Sequence, residues 1–322
     1  MRKVGCLLLA IVLLGGAALF GVAQLWGGAG PLPEQRSVVV REGSTLTDAA
    51  GALEKAGAVR SARRFVLLSK VFGGGTPIRA GEYRIPAHAS QSDILEMMQK
   101  GDVLRRLVTI PEGLPSILVR ERLMAAPELE GELDVPLEGT VLPDSYSYQR
   151  NDSRRQVLER MQRAMVQYLD AAWAKRSPDT VAKTPREALI LASVIEKETG
   201  KPKERREIAA VYSNRLREGM RLQADPTVIY PITKGKPLGR RILRSELEAR
   251  NGYNTYAMAG LPIGPICNPG RASIDAALHP AKSDALYFVA DGTGGHVFAR
   301  TLEEHERNVK KWYAIRRARG EM

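Results

Sequence analysis

Two glutamates, Glu196 and Glu198, close an otherwise apolar run, Ala188-Leu189-Ile190-Leu191-Ala192-Ser193-Val194-Ile195. A carboxyl group set among apolar side chains is the raw material of a general acid, because lost solvation disfavours its charged form. Helix signals bracket the run. Thr184 and Glu187 have capping-box spacing, Pro185 takes the first helical position, and Gly200 supplies a stop. On this helix Glu196 shares a stripe with Leu189, Ala192 and Ser193, whereas Glu198 lies about 200° away. The negative end of the helix adds to the desolvation, so Glu196 is expected to hold its proton above the ordinary carboxylate range. The competing arrangement pairs Glu196 with Arg205 or Arg206 of the next helix. Glu198 reads as a surface or structural ion pair.

Other residues with chemical potential follow downstream. Met220-Arg221-Leu222-Gln223 alternates like a short strand, and Asp225, just before Pro226, reads as a helix N-cap. The loop Asn251-Gly252-Tyr253-Asn254-Thr255-Tyr256 interleaves tyrosines with amide and hydroxyl side chains, a composition suited to stacking on sugars and bonding their hydroxyls. A rigid structural loop fits that composition equally well. Gln223, Asn254 and Tyr256 are the expected substrate contacts, with Asp225 an auxiliary candidate. No Gly-x-Ser-x-Gly elbow is present, which disfavours a serine hydrolase. Two cysteines and four scattered histidines give no metal-ligand spacing, so neither a metal nor a cofactor is expected.

These residues need elements to position them. A chain of 322 residues predicts about two folded domains beyond any membrane segment. Val4 to Trp26 is 23 residues without a charge, preceded by Arg2 and Lys3. As a helix it would span about 35 Å, enough for a hydrocarbon core of about 30 Å. The expectation is an uncleaved anchor with Trp26 at the interface, the N-terminus in the cytoplasm and everything after it outside. That separates Cys6 from Cys267 and excludes an intramolecular disulfide. The net charge of +12 favours an anionic partner. Outside the cytoplasm that partner is a carboxylate-bearing wall polymer or acidic lipid and not nucleic acid.

The expected organisation is a cytoplasmic stub at 1–3, a transmembrane helix at 4–26, a linker at 27–36, a small α+β module at 37–113 and a larger mixed α/β domain at 114–322. In the module, strands are expected at Val38–Val40, Glu82–Ile85 and Leu104–Ile110, with helices at Leu46–Lys55, Ala62–Val71 and Ser92–Gln99. The larger domain should hold a long amphipathic helix near Ser153–Lys175, the apolar helix carrying Glu196, and a hairpin at Leu286–Ala299. The basic tail with Lys310, Lys311, Arg316, Arg317 and Arg319 reads as a solvated helix face.

Several of these segments occur in a recognisable order. Leu191-Ala192-Ser193-Val194-Ile195-Glu196-Lys197-Glu198-Thr199, Asn214-Arg215-Leu216, Met220 to Tyr230, Tyr253-Asn254-Thr255-Tyr256, Gly260-Leu261-Pro262, Pro265 to Gly270 and Tyr287-Phe288-Val289-Ala290 closely resemble the endolytic murein transglycosylases, the MltG or YceG-like family. Ala80-Gly81-Glu82-Tyr83 and Leu137-Glu138-Gly139 belong to the same likeness. The resemblance implies a LysM-like module followed by a YceG-like catalytic domain, with Glu196 at the catalytic glutamate position. It implies a lytic transglycosylase that cuts nascent peptidoglycan between N-acetylmuramic acid and N-acetylglucosamine and leaves a 1,6-anhydro end. The expected partners are glycan strands, the plasma membrane and penicillin-binding peptidoglycan synthases. One carboxyl suffices for such a reaction because the substrate supplies its own nucleophile, whereas ordinary glycosidases need two. The alternatives are a hydrolytic muramidase using Asp225 or Asp144 as second carboxylate, and a glycan-binding scaffold without chemistry.

Overall fold

The computed structural model describes residues 2–321, with side chains from residue 11 onward. The chain divides into two units. One runs to Arg106 and takes back Ser147–Asn151, and the other comprises Leu107–Tyr146 and everything from Asp152. The division thus falls a little before the expected 113/114 boundary, inside a strand.

The first unit contains α1 (Arg2–Gly27), β1 (Arg36–Val40), α2 (Leu46–Lys55), α3 (Ala62–Phe72), β2 (Gly81–Ile85) and α4 (Gln91–Lys100). Thr45 and Ser90 start α2 and α4 with full capping boxes to Asp48 and Asp93, and Ser61 caps α3. β1 and β2 pair antiparallel from Arg36↔Ile85 to Val40↔Gly81. The two-residue period of these strands turns Val38, Val40, Tyr83 and Ile85 inward, onto Leu53, Phe65, Ile94 and Met98 of the helices.

Helix α1 covers the whole expected span Val4–Trp26. Among the described residues, however, no helix is long and apolar enough to cross a membrane, so a transmembrane helix is not supported as such. Part of that span, 4–10, lies outside the residues whose side chains are described. Trp26, expected at a membrane interface, is half-buried, its ring 6.5 Å from Phe65 and 5.9 Å from Phe72.

The strands β3 (Arg106–Thr109) and β4 (Ser145–Tyr148) run across the division, and the second unit is otherwise mostly helical: α5 (Ser116–Ala125), α6 (Arg154–Ala174), α7 (Pro185–Glu198), α8 (Arg205–Arg217), α9 (Asp225–Thr233), α10 (Arg244–Glu248), α11 (Arg271–Leu278), β5 (Tyr287–Ala290), β6 (His296–Ala299) and α12 (Leu302–Ala318). β5 and β6 form the expected hairpin. Helix α7 is the axis, with α6, α8, α9 and α11 against it. Its apolar run explains this position: Ala188 and Ile190 to Ile195 are all buried, so the helix is covered on nearly every side. Thr184 accepts the Glu187 N–H as expected, but the Glu187 carboxylate reaches back to the Lys183 N–H rather than closing the box.

Two expectations fail locally. Met220–Gln223 is not a strand, because Gln223 adopts φ +55°, a left-handed conformation that ends the extended run. Asp225 is not an N-cap: it is the first residue of α9, Ala224 takes the cap position, and no side chain caps this end.

Ser193 fastens the Pro265–Gly270 loop to α7. Its hydroxyl accepts the Ile266 N–H at 3.0 Å and donates to the Ile190 carbonyl at 2.7 Å, wholly out of solvent. Ser193→Ala leaves the Ile266 N–H buried and unpaired. It should lower unfolding free energy by about 1–3 kcal/mol, read from chemical denaturation of the purified chain. An unchanged midpoint would show that this bond does not hold the loop.

Candidate active site

Glu196 and Glu198 leave the end of α7 in different directions and meet different partners. The Glu196 carboxylate accepts the Gly270 N–H at 2.9 Å, at the start of α11, and lies 3.8 Å from Arg205 Nη2. The same Arg205 nitrogen is 3.6 Å from Glu112. The ion pair weighed against catalysis in the sequence is therefore present, and both oxygens of Glu196 hold neighbouring elements together. A Cβ at Gly270 would sit 2.0 Å from Glu112 Oε1, so a larger residue there would displace the Glu112 side chain. Next to it, the fully buried Asn268 accepts the Val141 N–H at 3.0 Å and donates to the Leu114 carbonyl at 2.9 Å and Ser116 Oγ at 3.1 Å. Glu138 belongs to this same knot through the Ser116 N–H at 2.8 Å, and its burial raises the carboxyl's pKa.

Glu198 instead enters a cavity of about 330 Å³ lined by Tyr212, Arg215, Gln223, Asp225, Tyr256 and His305, among others. Desolvation pushes its carboxyl up from the ordinary 4.5 to about 7, and the nearby Asp225 charge adds to this. A hydrogen bond from Tyr212 and the charge of Arg215 pull the other way without cancelling it. Among the described residues, Oε1 of Glu198 has no hydrogen-bond partner and almost no contact with solvent. The expectation of a surface or structural pair for Glu198 is thereby corrected. Its face of α7 is covered by α8, whose Tyr212 is fully buried and whose Arg215 is nearly so.

The rest of the cavity is built from segments that the sequence marked out. Arg215 donates through Nε to the Leu286 carbonyl at 2.6 Å and through Nη1 to the Leu222 carbonyl at 2.8 Å, with Gln223 Oε1 at 3.4 Å. It thereby fixes the 221–223 turn, and the left-handed Gln223 stays exposed at the rim. The Tyr256 hydroxyl donates to Asp225 Oδ1 at 2.6 Å. Burial, and then the Asp225 carboxylate, keep that phenol protonated far above neutral pH. On the facing wall, burial and Arg215 lower the pKa of His305, favouring a neutral ring.

Of the four expected contacts, Gln223, Asp225 and Tyr256 meet at one cavity, and Asn254 does not. Asn254 is fully buried, its amide nitrogen donating to the carbonyls of Glu246, Leu247 and Ala249 at 3.1, 3.0 and 2.7 Å. Its Oδ1 accepts the Tyr256 N–H at 2.9 Å. Asn254 thus shapes the loop that presents Tyr256 and does not line the cavity. Asp144, considered as a second carboxylate, pairs with Arg271 at 2.9 Å and does not line the cavity. Sequence reasoning missed Tyr212 and Arg215. The available signal was their i, i+3 spacing on a helix that had to cover the buried α7.

The chain is similar to known proteins over most of its length. An endolytic murein transglycosylase of Bacillus subtilis is 28% identical over 94% of this chain and 91% of its own length. A protein of the same name from Streptococcus pneumoniae is 30% identical over 85% of this chain, which spans 57% of that longer relative. The crystal structure of a yceG-like protein from Listeria monocytogenes superposes with a TM-score of 0.53 at 29% identity, covering 85% of this chain and 98% of the other. The sequence profile of the YceG-like family matches residues 38–311, and the chain belongs to that family.

Proposed function

We propose that this chain is an endolytic lytic transglycosylase of peptidoglycan, with Glu198 rather than Glu196 as its general acid and base. The observation that carries the reading is a carboxyl with a pKa near 7 in a cavity bordered by exposed hydrogen-bonding side chains. The names of the Bacillus and Streptococcus relatives support the substrate.

In this reading protonated Glu198 gives its proton to the oxygen linking N-acetylmuramic acid to N-acetylglucosamine. The anomeric C–O bond breaks with its electron pair leaving on that oxygen. The Glu198 carboxylate then takes the proton of the muramyl C6 hydroxyl, whose oxygen closes on the anomeric carbon. The products are a 1,6-anhydromuramyl end and a free N-acetylglucosamine end, and the carboxyl regains its proton. In this reading the Tyr256 hydroxyl and the Gln223 amide, which line the same cavity, bind the sugars. Asp225 orients Tyr256 and disfavours early ionisation of Glu198.

The finer parts of the reading are a LysM-like glycan-binding first unit and a membrane anchor formed by α1. Helicity across Arg2–Gly27 and the exposed apolar side chains Ile11, Leu14, Leu19 and Phe20 support the anchor. Anchored on the outer face, the enzyme would meet nascent strands beside the penicillin-binding synthases that make them. A muramidase using Asp225 as second carboxylate is the competing chemistry, since Asp225 borders the same cavity. It would add water to the product, whereas lytic cleavage leaves the mass sum unchanged.

Three outcomes are expected. Glu198→Gln should cut anhydro-muropeptide release, followed by mass spectrometry, by roughly 100- to 10,000-fold, while Glu196→Gln loses far less. The reverse order would return the acid to Glu196, and products carrying added water would favour the muramidase. Wild-type turnover should fall as pH rises through about 7, because the acid must start protonated. Folding stability should fall across the window from about 4.5 to about 7, since the raised pKa means that the native state holds the proton longer than the unfolded chain. Thermal melts of Glu198→Gln should lack that decline, and an identical pH profile in both proteins would contradict the assignment.

A further inference from the structure

Helix α3 stands beside the end of α1 and leaves a face without a protein partner. Leu67 and Val71, four residues apart, are 61% and 64% exposed on that face. Arg63, Arg64 and Lys70 lie three or four residues from Leu67 and so flank the same stripe. The helix, Ala-Arg-Arg-Phe-Val-Leu-Leu-Ser-Lys-Val-Phe, contains no acidic residue. Its far end is tied to α1. Phe72, half exposed, lies 5.9 Å from the Trp26 ring, and Gln91 of α4 donates to the Leu25 carbonyl at 2.6 Å. The exposed apolar surface of α1, from Ile11 through Phe20 to Leu25, therefore continues onto Phe72, Val71 and Leu67 of the same unit.

We propose that the outer face of α3 docks on an anionic lipid surface, seating the first unit against the bilayer that α1 enters. This rests on the reading of α1 as an anchor. Two features commit the face to lipid. It is continuous with the apolar surface of α1, and its cations alternate with its apolar side chains, the pattern of a helix lying in a headgroup layer. A soluble protein partner of like composition would need a complementary acidic and apolar groove, and nothing calls for one beside a membrane exit. The consequence for the enzyme is geometric. A first unit seated on the bilayer holds the chain at the membrane, where strands are newly made.

The test uses the full chain with Cys6→Ser, so that the native Cys267, which is buried, is the sole remaining cysteine. An environment-sensitive fluorophore is attached at Leu67→Cys, and in a control at Glu54→Cys on exposed α2. Both proteins are reconstituted into vesicles of phosphatidylethanolamine and phosphatidylglycerol, and into phosphatidylcholine vesicles. The expected result is a blue-shifted probe at 67, quenched by spin-labelled lipid, with the probe at 54 remaining in water. The shift should weaken in phosphatidylcholine, at high salt, and with Arg63→Glu/Lys70→Glu. A vesicle-bound protein whose probe at 67 behaves like that at 54 would overturn the docking while leaving the anchor intact. A chain that fails to float with vesicles would overturn the anchor itself and the docking with it. A probe buried equally in detergent, and increasingly so with protein concentration, would assign the face to a second copy and overturn the lipid reading.

Discussion

The site depends on one electrostatic constraint: a carboxyl group is kept out of water at the end of a buried helix. Coverage of Glu198 by α8 removes the solvent that would stabilise its anion, and the Tyr212 hydrogen bond and Arg215 charge only partly replace it. Arg215 could have neutralised the effect. Instead its donors are directed at the carbonyls of Leu222 and Leu286, so most of its hydrogen bonding holds the rim and not the Glu198 carboxyl. The carboxyl stays poised near neutrality because a cation sits close enough to temper it and is committed elsewhere.

That constraint accounts for much of the surrounding architecture. A helix covered on nearly every side needs its last turn packed as well. The seal is the loop that Ser193 and Glu196 fasten, with Asn268 tying it back to the segments around Leu114 and Val141. Gly139 belongs to the same close packing: it takes φ +80°, and a Cβ there would lie 2.6 Å from Pro265. On the other side of α7, Asn254 spends its amide on three carbonyls to bring Tyr256 over Asp225. The two glutamates thus divide the work, Glu196 holding the wall and Glu198 facing the cavity.

Much of this was legible in the sequence, because element formation here is local. Capping residues, the apolar run of α7 and the hairpin glycines each act within a few residues, and the observed helices begin and end close to where those signals place them. The segments that meet at the cavity were also marked by composition. Which of the two glutamates faces the cavity was not legible, for a physical reason. A single stripe implies one buried face, whereas α7 is buried on nearly every side, so the face of Glu198 depends on which helix crosses it. Met220–Gln223 misled in the same manner: its alternation is a strand signal, but Gln223 is left-handed and Arg215 binds the carbonyls of Arg221 and Leu222. The role of Asn254 depended on which carbonyls its loop would bring near, which spacing does not encode.

The most direct test of the central claim is the titration of the Glu198 carboxyl itself. Infrared difference spectra of carboxyl-labelled wild type against Glu198→Gln, taken across pH, isolate the protonated C=O band of this one residue. That band should persist through mildly acidic pH and disappear with a midpoint near 7. A midpoint close to the ordinary carboxylate value of about 4.3 would contradict it.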